Sequence, residues 1–161
     1  MNITIDLATQ TLTLCDQDVA QQRYSVSTSS RGAGEREGSF CTPRGRHRIH
    51  ARIGAGAAPG TVFVGRRPTG EIYSPRLAAA HPGRDWILTR ILWLCGEEPG
   101  RNRFGAVDTM RRFIYIHGAP ATATMGRAGS RGCIRMHHDD IIELFDRVCV
   151  GTRVDIVEQS P

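Results

Sequence analysis

Short stretches in which polar and apolar residues alternate, separated by loops rich in glycine, most constrain the fold of this chain. Ile3, Ile5 and Leu7 alternate with polar residues over 2–7, and the alternation returns over 11–14. This period of two is typical of half-buried strands. The 18 glycines and 8 prolines are mostly clustered, which indicates many turns and favours strands over long helices. The sequence therefore predicts a mainly β fold.

Further strands are predicted over residues 23–28, 46–53, 61–64, 86–94, 112–117 and 154–156. One helix is predicted to begin at Asp140, because Asp140 and Glu143 have the spacing of a capping box. Gly151 would end this helix, and a short second helix is predicted over 106–112. The residues with the spacing of an apolar helical face are Ile141, Ile142, Leu144, Phe145 and Val148.

The size and charge of the chain set the class of protein. A chain of 161 residues suits a single domain over 1–161, and we find no linker or repeat that divides it. The net charge of +5 would suit an acidic ligand. Nucleic acid is not expected as a partner, because the arginines are scattered and aromatic residues make up only 6% of the chain.

The cysteines and the first 20 residues lead us to expect a cytoplasmic protein. Five cysteines without a CxxC motif fit free thiols in a reducing compartment. Residues 1–20 contain three aspartates and no Lys or Arg, unlike the basic start of a secretory signal. No segment approaches the roughly 18 apolar residues of a membrane span. A periplasmic location is expected instead if the sequence is a trimmed form.

The residues that suggest chemistry are a cysteine and a histidine. Cys133 follows the small-residue turn Ser130-Arg131-Gly132, and His117-Gly118 ends an apolar strand sixteen residues earlier. A thiol attacks as its thiolate, so a histidine within reach can act as its base. We predict that Cys133 is a nucleophile and that His117 is its base.

The surroundings of this cysteine have the features that an acyl-transfer site needs. The cationic or titratable groups near it in sequence, which would lower its pKa from about 8.5, are Arg131, Arg135, His137 and His138. Gly132 would let backbone N–H groups turn toward a reacting carbonyl as an oxyanion hole. A zinc site made of Cys133, His117, His137 and His138 is the alternative, but the spacing matches no common pattern. No metal and no cofactor are predicted.

The chain resembles the L,D-transpeptidase (YkuD-like) family over nearly its whole length. The resemblance rests on Ile116-His117-Gly118-Ala119-Pro120, Met125-Gly126 and Ser130-Arg131-Gly132-Cys133-Ile134-Arg135-Met136. Thr42-Pro43-x-Gly45 resembles the Thr-Pro-x-Gly turn of the family, and residues 3–14 resemble its opening hairpin. The resemblance implies a β-sandwich-like catalytic domain with one or two short helices.

The resemblance also implies a reaction and roles for single residues. Cys133 would attack the bond between diaminopimelate and D-alanine in the stem tetrapeptide of peptidoglycan and form a thioester. The Gly118 carbonyl would orient His117, and the N–H groups of Gly132 and Cys133 would form the oxyanion hole. Arg135 would brace the site or bind a carboxylate. Carbapenem-type β-lactams are expected to acylate Cys133.

Arginine at position 131 departs from the histidine that many members of the family have there. Only His117 is then left as the base, and Arg131 would lower the thiol pKa or hold a substrate carboxylate. The further candidates for substrate binding are Ser130, Arg90 and Arg103. An arginine within the apolar strand 86–94, such as Arg90, is costly unless it is paired. For both Arg90 and Arg103 the alternative is a surface or structural ion pair.

The function predicted from the sequence is a cysteine acyl-transfer enzyme that acts on peptidoglycan stem peptides or muropeptides. In the expected cytoplasmic location it would be an L,D-carboxypeptidase or exchange D-amino acids during peptidoglycan recycling. The alternative within the family is an exported transpeptidase that forms cross-links. A non-catalytic binder of peptidoglycan peptides is the alternative from another class. A redox sensor is disfavoured, because no resolving cysteine lies nearby in sequence.

Overall fold

A computed structural model of the chain describes residues 1–159. The first six strands are β1 (Asn2–Asp6), β2 (Thr11–Asp16), β3 (Val19–Ser25), β4 (Gly45–Ile53), β5 (Thr61–Val64) and β6 (Arg67–Ile72). The last four are β7 (Ile87–Gly96), β8 (Tyr115–Gly118), β9 (Ile134–Met136) and β10 (Arg153–Val157). The α-helices are α1 (Pro75–Ala80) and α2 (His138–Arg147), with a 3₁₀ turn at Gly105–Val107.

The ten strands form one connected sheet that branches at β7. Its main path has the order β3-β2-β1-β10-β4-β7-β5-β6, and β8 pairs with β7 outside this path. Among the named strands β9 pairs with β8, in parallel, and an isolated bridge joins its Arg135 to Ser27. The short strands β8 and β9, which contain the residues that suggest chemistry, therefore lie beside the long strand β7.

The core fills the space between α2 and the sheet. Ile141, Leu144 and Phe145 of α2 are fully or almost fully buried against apolar residues from strands β1, β2, β4, β7, β8, β9 and β10. Alternation along β7 sends Leu92 and Leu94 into this core and Ile91 to a smaller cluster on the opposite face. No helix in residues 1–159 has the length and apolarity that crossing a membrane requires.

The predicted class is confirmed, and single elements differ at identifiable places. The capping box is wrong: α2 begins at His138, His137 is its N-cap, and Asp140 lies inside the first turn. Glu143 instead accepts hydrogen bonds from Tyr24 and Arg147. The helix predicted over 106–112 is only the 3₁₀ turn at Gly105–Val107.

Strands β6 and β9 and helix α1 were not predicted. β6 is mostly exposed and contains a proline and a glycine, so its sequence lacks the usual alternation. β9 has only three residues. The helix α1 begins after Ser74, whose side chain accepts a hydrogen bond from the Leu77 N–H, and it buries no residue.

A buried histidine of β4 makes the stability of this fold depend on pH. His47 is fully buried; its Nδ1 donates to the Gly45 carbonyl at 2.9 Å, and its Nε2 accepts from the Thr109 hydroxyl at 3.0 Å. Burial lowers the pKa of His47 from 6.5 to about 4. The unfolded chain therefore binds this proton more readily than the folded chain does, so acid favours unfolding between these two values.

The free energy of unfolding should fall on acidification because of this group. The contribution of His47 is complete above pH 6.5 and decreases as the pH falls toward 4, by about 2 kcal/mol between pH 7.5 and pH 5. Urea unfolding of the wild type and His47→Gln at the two pH values measures it. The wild type should lose about 2 kcal/mol more than the variant.

His50→Gln is the matched control, because His50 is an exposed residue of the same strand. This variant should keep the pH dependence of the wild type. An equal loss in the wild type and in His47→Gln would contradict the assignment to His47.

Candidate active site

The pairing of β8 with β9 places the predicted nucleophile and base on one face of the sheet. The strands are parallel, with His117 opposite Arg135 and Ile116 opposite Ile134. Registered neighbours in a sheet point to the same side, and successive residues alternate. Ile116 and Ile134 enter the core around α2, whereas Cys133 packs against the smaller cluster on the opposite face. Cys133, Arg135 and His117 therefore share that opposite face.

The histidine is held in a single orientation and tautomer. His117 is fully buried, and its Nδ1 lies 2.7 Å from the Gly118 carbonyl oxygen. A carbonyl only accepts, so Nδ1 carries a proton. Burial also lowers the pKa of His117 from its ordinary value, with smaller opposing effects from the Gly118 hydrogen bond and Asp85. The neutral ring then has its lone pair at Nε2, an atom without a hydrogen-bond partner among residues 1–159.

The cysteine is a protonated thiol at rest. The Tyr115 N–H donates to Cys133 Sγ at 3.3 Å, and the thiol donates to the Phe113 carbonyl at 3.4 Å. Part of the side chain reaches the surface, yet burial raises its pKa to about 12, outweighing Arg135 and Arg112. The expectation of a lowered thiol pKa is therefore wrong: Arg135 acts in the expected direction, but desolvation is larger.

The thiol and the imidazole are not hydrogen-bonded to each other in this structure, since His117 Nε2 has no partner within the described chain. Catalytic hydrogen bonds are often long or absent before substrate binds. The thiol has one proton to donate, so it must leave the Phe113 carbonyl before it can donate to Nε2. The Nε2 lone pair and the thiol on one face are the parts for general-base attack on a carbonyl.

Position 118, next to the histidine, has no room for a residue larger than glycine. A Cβ at this position would lie 2.5 Å from the Leu88 carbonyl oxygen and 3.0 Å from Thr89 Cβ. Thr89 has a φ of 74°, unusual for a β-branched residue, at the point where the pairing of β7 with β8 changes register. The Thr89 hydroxyl binds His138 Nδ1 at 2.5 Å and accepts from the Gly60 N–H at 3.0 Å. These hydrogen bonds fix the bulge against which Gly118 packs.

The turn before the cysteine is held by two hydroxyl groups. Ser130 Oγ donates to the Cys133 carbonyl at 2.5 Å and accepts from the Gly132 N–H at 3.2 Å. Thr42, of the Thr-Pro-x-Gly turn, donates to the Gly132 carbonyl at 2.9 Å. Gly132 has a φ of 124°, which residues with a side chain rarely adopt. Ser130 is buried and shapes this turn, so the structure does not support its prediction as a substrate contact.

The oxyanion hole stays a prediction with one new condition. The Gly132 N–H already donates to Ser130 Oγ, and it must leave this partner before it can bind an oxyanion. The Cys133 N–H is the other predicted donor. A donor aimed at the developing oxyanion is typically worth roughly 3–4 kcal/mol.

Two of the four arginines predicted to bind substrate, Arg135 and Arg131, lie near Cys133. Arg135 pairs with Asp85 at 3.0 Å and donates to the Gly129 carbonyl at 3.1 Å, an arrangement that braces the loop before Cys133. Arg131 is exposed and lines the groove at Cys133. The structure therefore brings both arginines to the site.

Arg90 and Arg103 do not line the groove at Cys133, so the structure does not place them beside the nucleophile as the sequence predicted. Arg90 is buried and donates to the carbonyls of Ala57 and Thr89, both at 2.7 Å, so backbone oxygens take the place of a carboxylate. Arg103 stacks on Phe104 and lines a separate hollow with Arg48 and His50. These two hydrogen bonds offset part of the cost of burying Arg90, whose Nε has no hydrogen-bond partner within residues 1–159.

A groove of about 730 Å³ opens at the thiol and contains residues that the sequence did not single out. Its walls include Arg66, Arg112, Phe113, Tyr115 and Asp85. Arg112 is anchored to the carbonyls of Cys41 and Gly34. These residues come from distant segments of the chain. The one local sign in the sequence is Gly65, directly after β5, which indicates a turn next to Arg66.

The described residues do not support the alternative zinc site. Within residues 1–159, no group of three or more His, Cys, Asp or Glu side chains is close enough to hold a metal ion. The five cysteines are free thiols.

The fold and this site match one family of known proteins. The family model described as the L,D-transpeptidase catalytic domain, YkuD, matches residues 2–156. The chain belongs to this family.

Relatives by sequence match shorter segments. The putative L,D-transpeptidase YkuD of Bacillus subtilis is 56% identical over 55 residues, which are 33% of this chain and 34% of that protein. The putative L,D-transpeptidase YqjB of the same organism is 42% identical over 57 residues, 35% of this chain and 32% of that protein. The matched segments thus span about a third of these relatives.

Solved structures share the fold at low sequence identity. L,D-transpeptidase 3 from Mycobacterium tuberculosis, in complex with a faropenem-derived adduct, superposes with a TM-score of 0.59 at 15% identity. The match covers 97% of this chain and 59% of that one. The L,D-transpeptidase LdtMt1 in complex with imipenem gives a TM-score of 0.54 at 16% identity, covering 96% of this chain and 57% of the other.

Proposed function

We propose that the protein is a cysteine acyl-transfer enzyme that cleaves the diaminopimelate–D-alanine bond of peptidoglycan stem tetrapeptides. The observation that carries the proposal is the pair formed by Cys133 and His117 on one face of the sheet. His117 keeps its Nδ1 proton on the Gly118 carbonyl and so presents an unpaired Nε2. Membership of the L,D-transpeptidase family supports the substrate class.

In the proposed reaction the thiol stays protonated until substrate is bound. His117 Nε2 removes the Cys133 proton as Sγ forms a bond to the diaminopimelate carbonyl carbon. The imidazolium then gives this proton to the nitrogen of D-alanine, the C–N bond breaks, and D-alanine leaves. Water or an amine next attacks the thioester, His117 accepts the proton of the acceptor, and the thiolate leaves and is protonated again.

We propose water or a free D-amino acid as the acceptor, which makes the enzyme an L,D-carboxypeptidase or an exchange enzyme. Soluble muropeptides would serve as substrates, and recycling in the cytoplasm is the setting proposed for this reaction. A peptide amine as acceptor would give a cross-link, and that activity requires an exported form of the protein.

A non-catalytic binder of peptidoglycan peptides is the second candidate. The observation in its favour is the resting site itself, since the thiol is protonated and donates to the Phe113 carbonyl rather than to His117. The same groove would then hold the peptide without cleaving it.

Mass spectrometry of the products from a diaminopimelate-containing tetrapeptide separates these functions. The assay uses the wild type and Cys133→Ala, each with and without an added D-amino acid. Without added D-amino acid, we expect the wild type to form tripeptide and Cys133→Ala to form none. Incorporation of the D-amino acid would identify exchange, and a dimeric peptide would identify cross-linking.

The controls decide between enzyme and binder. Cys41→Ala removes a half-buried thiol that does not line the groove and should leave turnover unchanged. Equal products from the wild type and Cys133→Ala would refute the thioester route. An absence of products, with binding of the tetrapeptide to both proteins, would establish the binder.

A further inference from the structure

An arginine at the tip of a hairpin is placed to recognise substrate. β5 and β6 are joined by Gly65 and Arg66, because Val64 pairs with Arg67. Both turn residues have positive φ, 55° and 64°, as a two-residue hairpin turn of type I′ requires. A residue with a side chain adopts this conformation at a cost in free energy. The contacts of the Arg66 side chain offset this cost.

Two aromatic rings and one hydroxyl fix the guanidinium of Arg66. Its Cζ lies 4.5 Å from the centre of the Trp93 ring and 4.9 Å from that of Phe113. Its Nη1 donates to the Tyr115 hydroxyl at 3.0 Å. Stacking on aromatic rings leaves the edge of a guanidinium free to donate hydrogen bonds. Among residues 1–159 no carboxylate lies within 4.0 Å of it, so the Arg66 charge is not neutralised by an ion pair.

The aromatic residues that hold Arg66 also hold the thiol. The Tyr115 N–H donates to Cys133 Sγ at 3.3 Å, and the Phe113 carbonyl accepts from Sγ at 3.4 Å. The Arg66 guanidinium and Cys133 Sγ thus contact the same residue, the first at the Tyr115 hydroxyl and the second at its backbone N–H. Arg66 and Cys133 line the same groove, so a peptide attacked at Cys133 lies within reach of Arg66.

The groove attracts anions, and Arg66 is its best-positioned cation. The groove has four arginines, Arg66, Arg111, Arg112 and Arg131, against two carboxylates, Glu37 and Asp85. Asp85 is paired with Arg135. Arg112 uses its donors on Cys41, Gly34 and Ser39, and Arg131 has no side-chain hydrogen bond within the described chain. Within the described chain, Arg66 uses one of its five N–H donors and Arg112 uses three, so Arg66 combines a fixed position with more unused donors than Arg112.

We propose that Arg66 binds a carboxylate of the acyl-donor peptide and sets the preference of the site for acidic stem peptides. The inference rests on the proposed function for the identity of the peptide. A guanidinium binds a carboxylate through two parallel hydrogen bonds, which fix both position and orientation. Arg66 would therefore align the scissile carbonyl with Cys133.

Binding of the tetrapeptide to the full chain, measured by calorimetry in a Cys133→Ala background, tests this role without turnover. Adding Arg66→Gln should raise the Kd by about 10- to 100-fold, as expected for the loss of a charged hydrogen bond. Arg66→Lys should also lose affinity, because lysine lacks the planar fork. Arg67→Gln is the matched control, since Arg67 is exposed, adjacent and outside the groove, and it should leave the Kd unchanged.

Tetrapeptides amidated at one carboxylate at a time distinguish recognition from a structural effect. One of these peptides should bind the Arg66→Gln variant and its parent equally, which identifies the carboxylate. The proposal would be overturned if Arg66→Gln lost the same affinity for every peptide or left the Kd unchanged. It would also be overturned if the Cys133→Ala parent did not bind the tetrapeptide. Turnover by the wild type is measured separately, so binding through Arg66 without turnover would refute only the proposed reaction.

Discussion

Incubation of the wild-type chain with imipenem should add one β-lactam to Cys133, and Cys133→Ala should gain none. A β-lactam carbonyl is an acyl donor that a thiol opens to a stable thioester. The thiol here lines a groove and lies on the same face of the sheet as a histidine whose Nε2 has no hydrogen-bond partner within the described chain. Intact-mass spectrometry followed by peptide mapping locates the adduct. The same variant should lose tetrapeptide turnover by on the order of 10⁴-fold or more, as expected when a nucleophile is removed.

The other thiols make this prediction specific. Cys15, Cys41 and Cys95 are half-buried, and Cys149 is exposed. Cys41 is the sharpest control, because its carbonyl lies 3.2 Å from the position of a Cβ on Gly132 and yet its thiol hydrogen-bonds only to backbone carbonyls. Cys41→Ala should therefore gain the same single adduct as the wild type. An adduct that persists in Cys133→Ala, or one that disappears in Cys41→Ala, would contradict the assignment.

The raised pKa of the thiol explains why the adduct should depend on the whole site. With a pKa of about 12, Cys133 is protonated at neutral pH, so its reactivity does not come from a resting thiolate. The acyl donor must first bind in the groove and His117 must take the proton. The prediction thus tests the site as a unit rather than the exposure of one sulfur atom.

The sequence predicted the class of the fold and the central residues because both depend on local patterns. Alternation identified β1 and β2 to within two residues, and the short stretches around Cys133 and His117 identified the predicted nucleophile and base. The predicted hydrogen bond from His117 to the Gly118 carbonyl is present in the structure at 2.7 Å. Each of these features is encoded by a short stretch of the sequence.

The failures share a dependence on contacts between distant segments. The Cys133 pKa was expected to follow the nearby arginines, but burial by strands from elsewhere in the chain dominates. Arg90 was expected to need a carboxylate, and two backbone carbonyls on the chain folded around it accept from its Nη1 instead. Arg66 was missed because its role depends on Trp93 and Tyr115, which lie 27 and 49 residues away in the printed sequence.

Replacing His117 with glutamine should lower kcat/KM for the tetrapeptide by about 10²- to 10⁴-fold, the usual contribution of a general base. The wild type needs a neutral imidazole, and burial places the His117 pKa below 6.5. Its activity should therefore be full at neutral pH and fall only at acidic pH. Steady-state rates measured from pH 4 to pH 10 give both the loss and the shape of the profile.

The pH profile of the variant shows whether His117 acts as the base rather than as a structural residue. Without a base, attack requires thiolate formed by solvent, and this fraction rises tenfold per pH unit up to the thiol pKa of about 12. The residual rate of His117→Gln should therefore climb steadily with pH. His137→Gln, which changes an exposed histidine before α2, should keep the rate and the acidic fall of the wild type. A folded His117→Gln protein with a reduced rate but the pH profile of the wild type would show that His117 only supports the site and that another group removes the thiol proton.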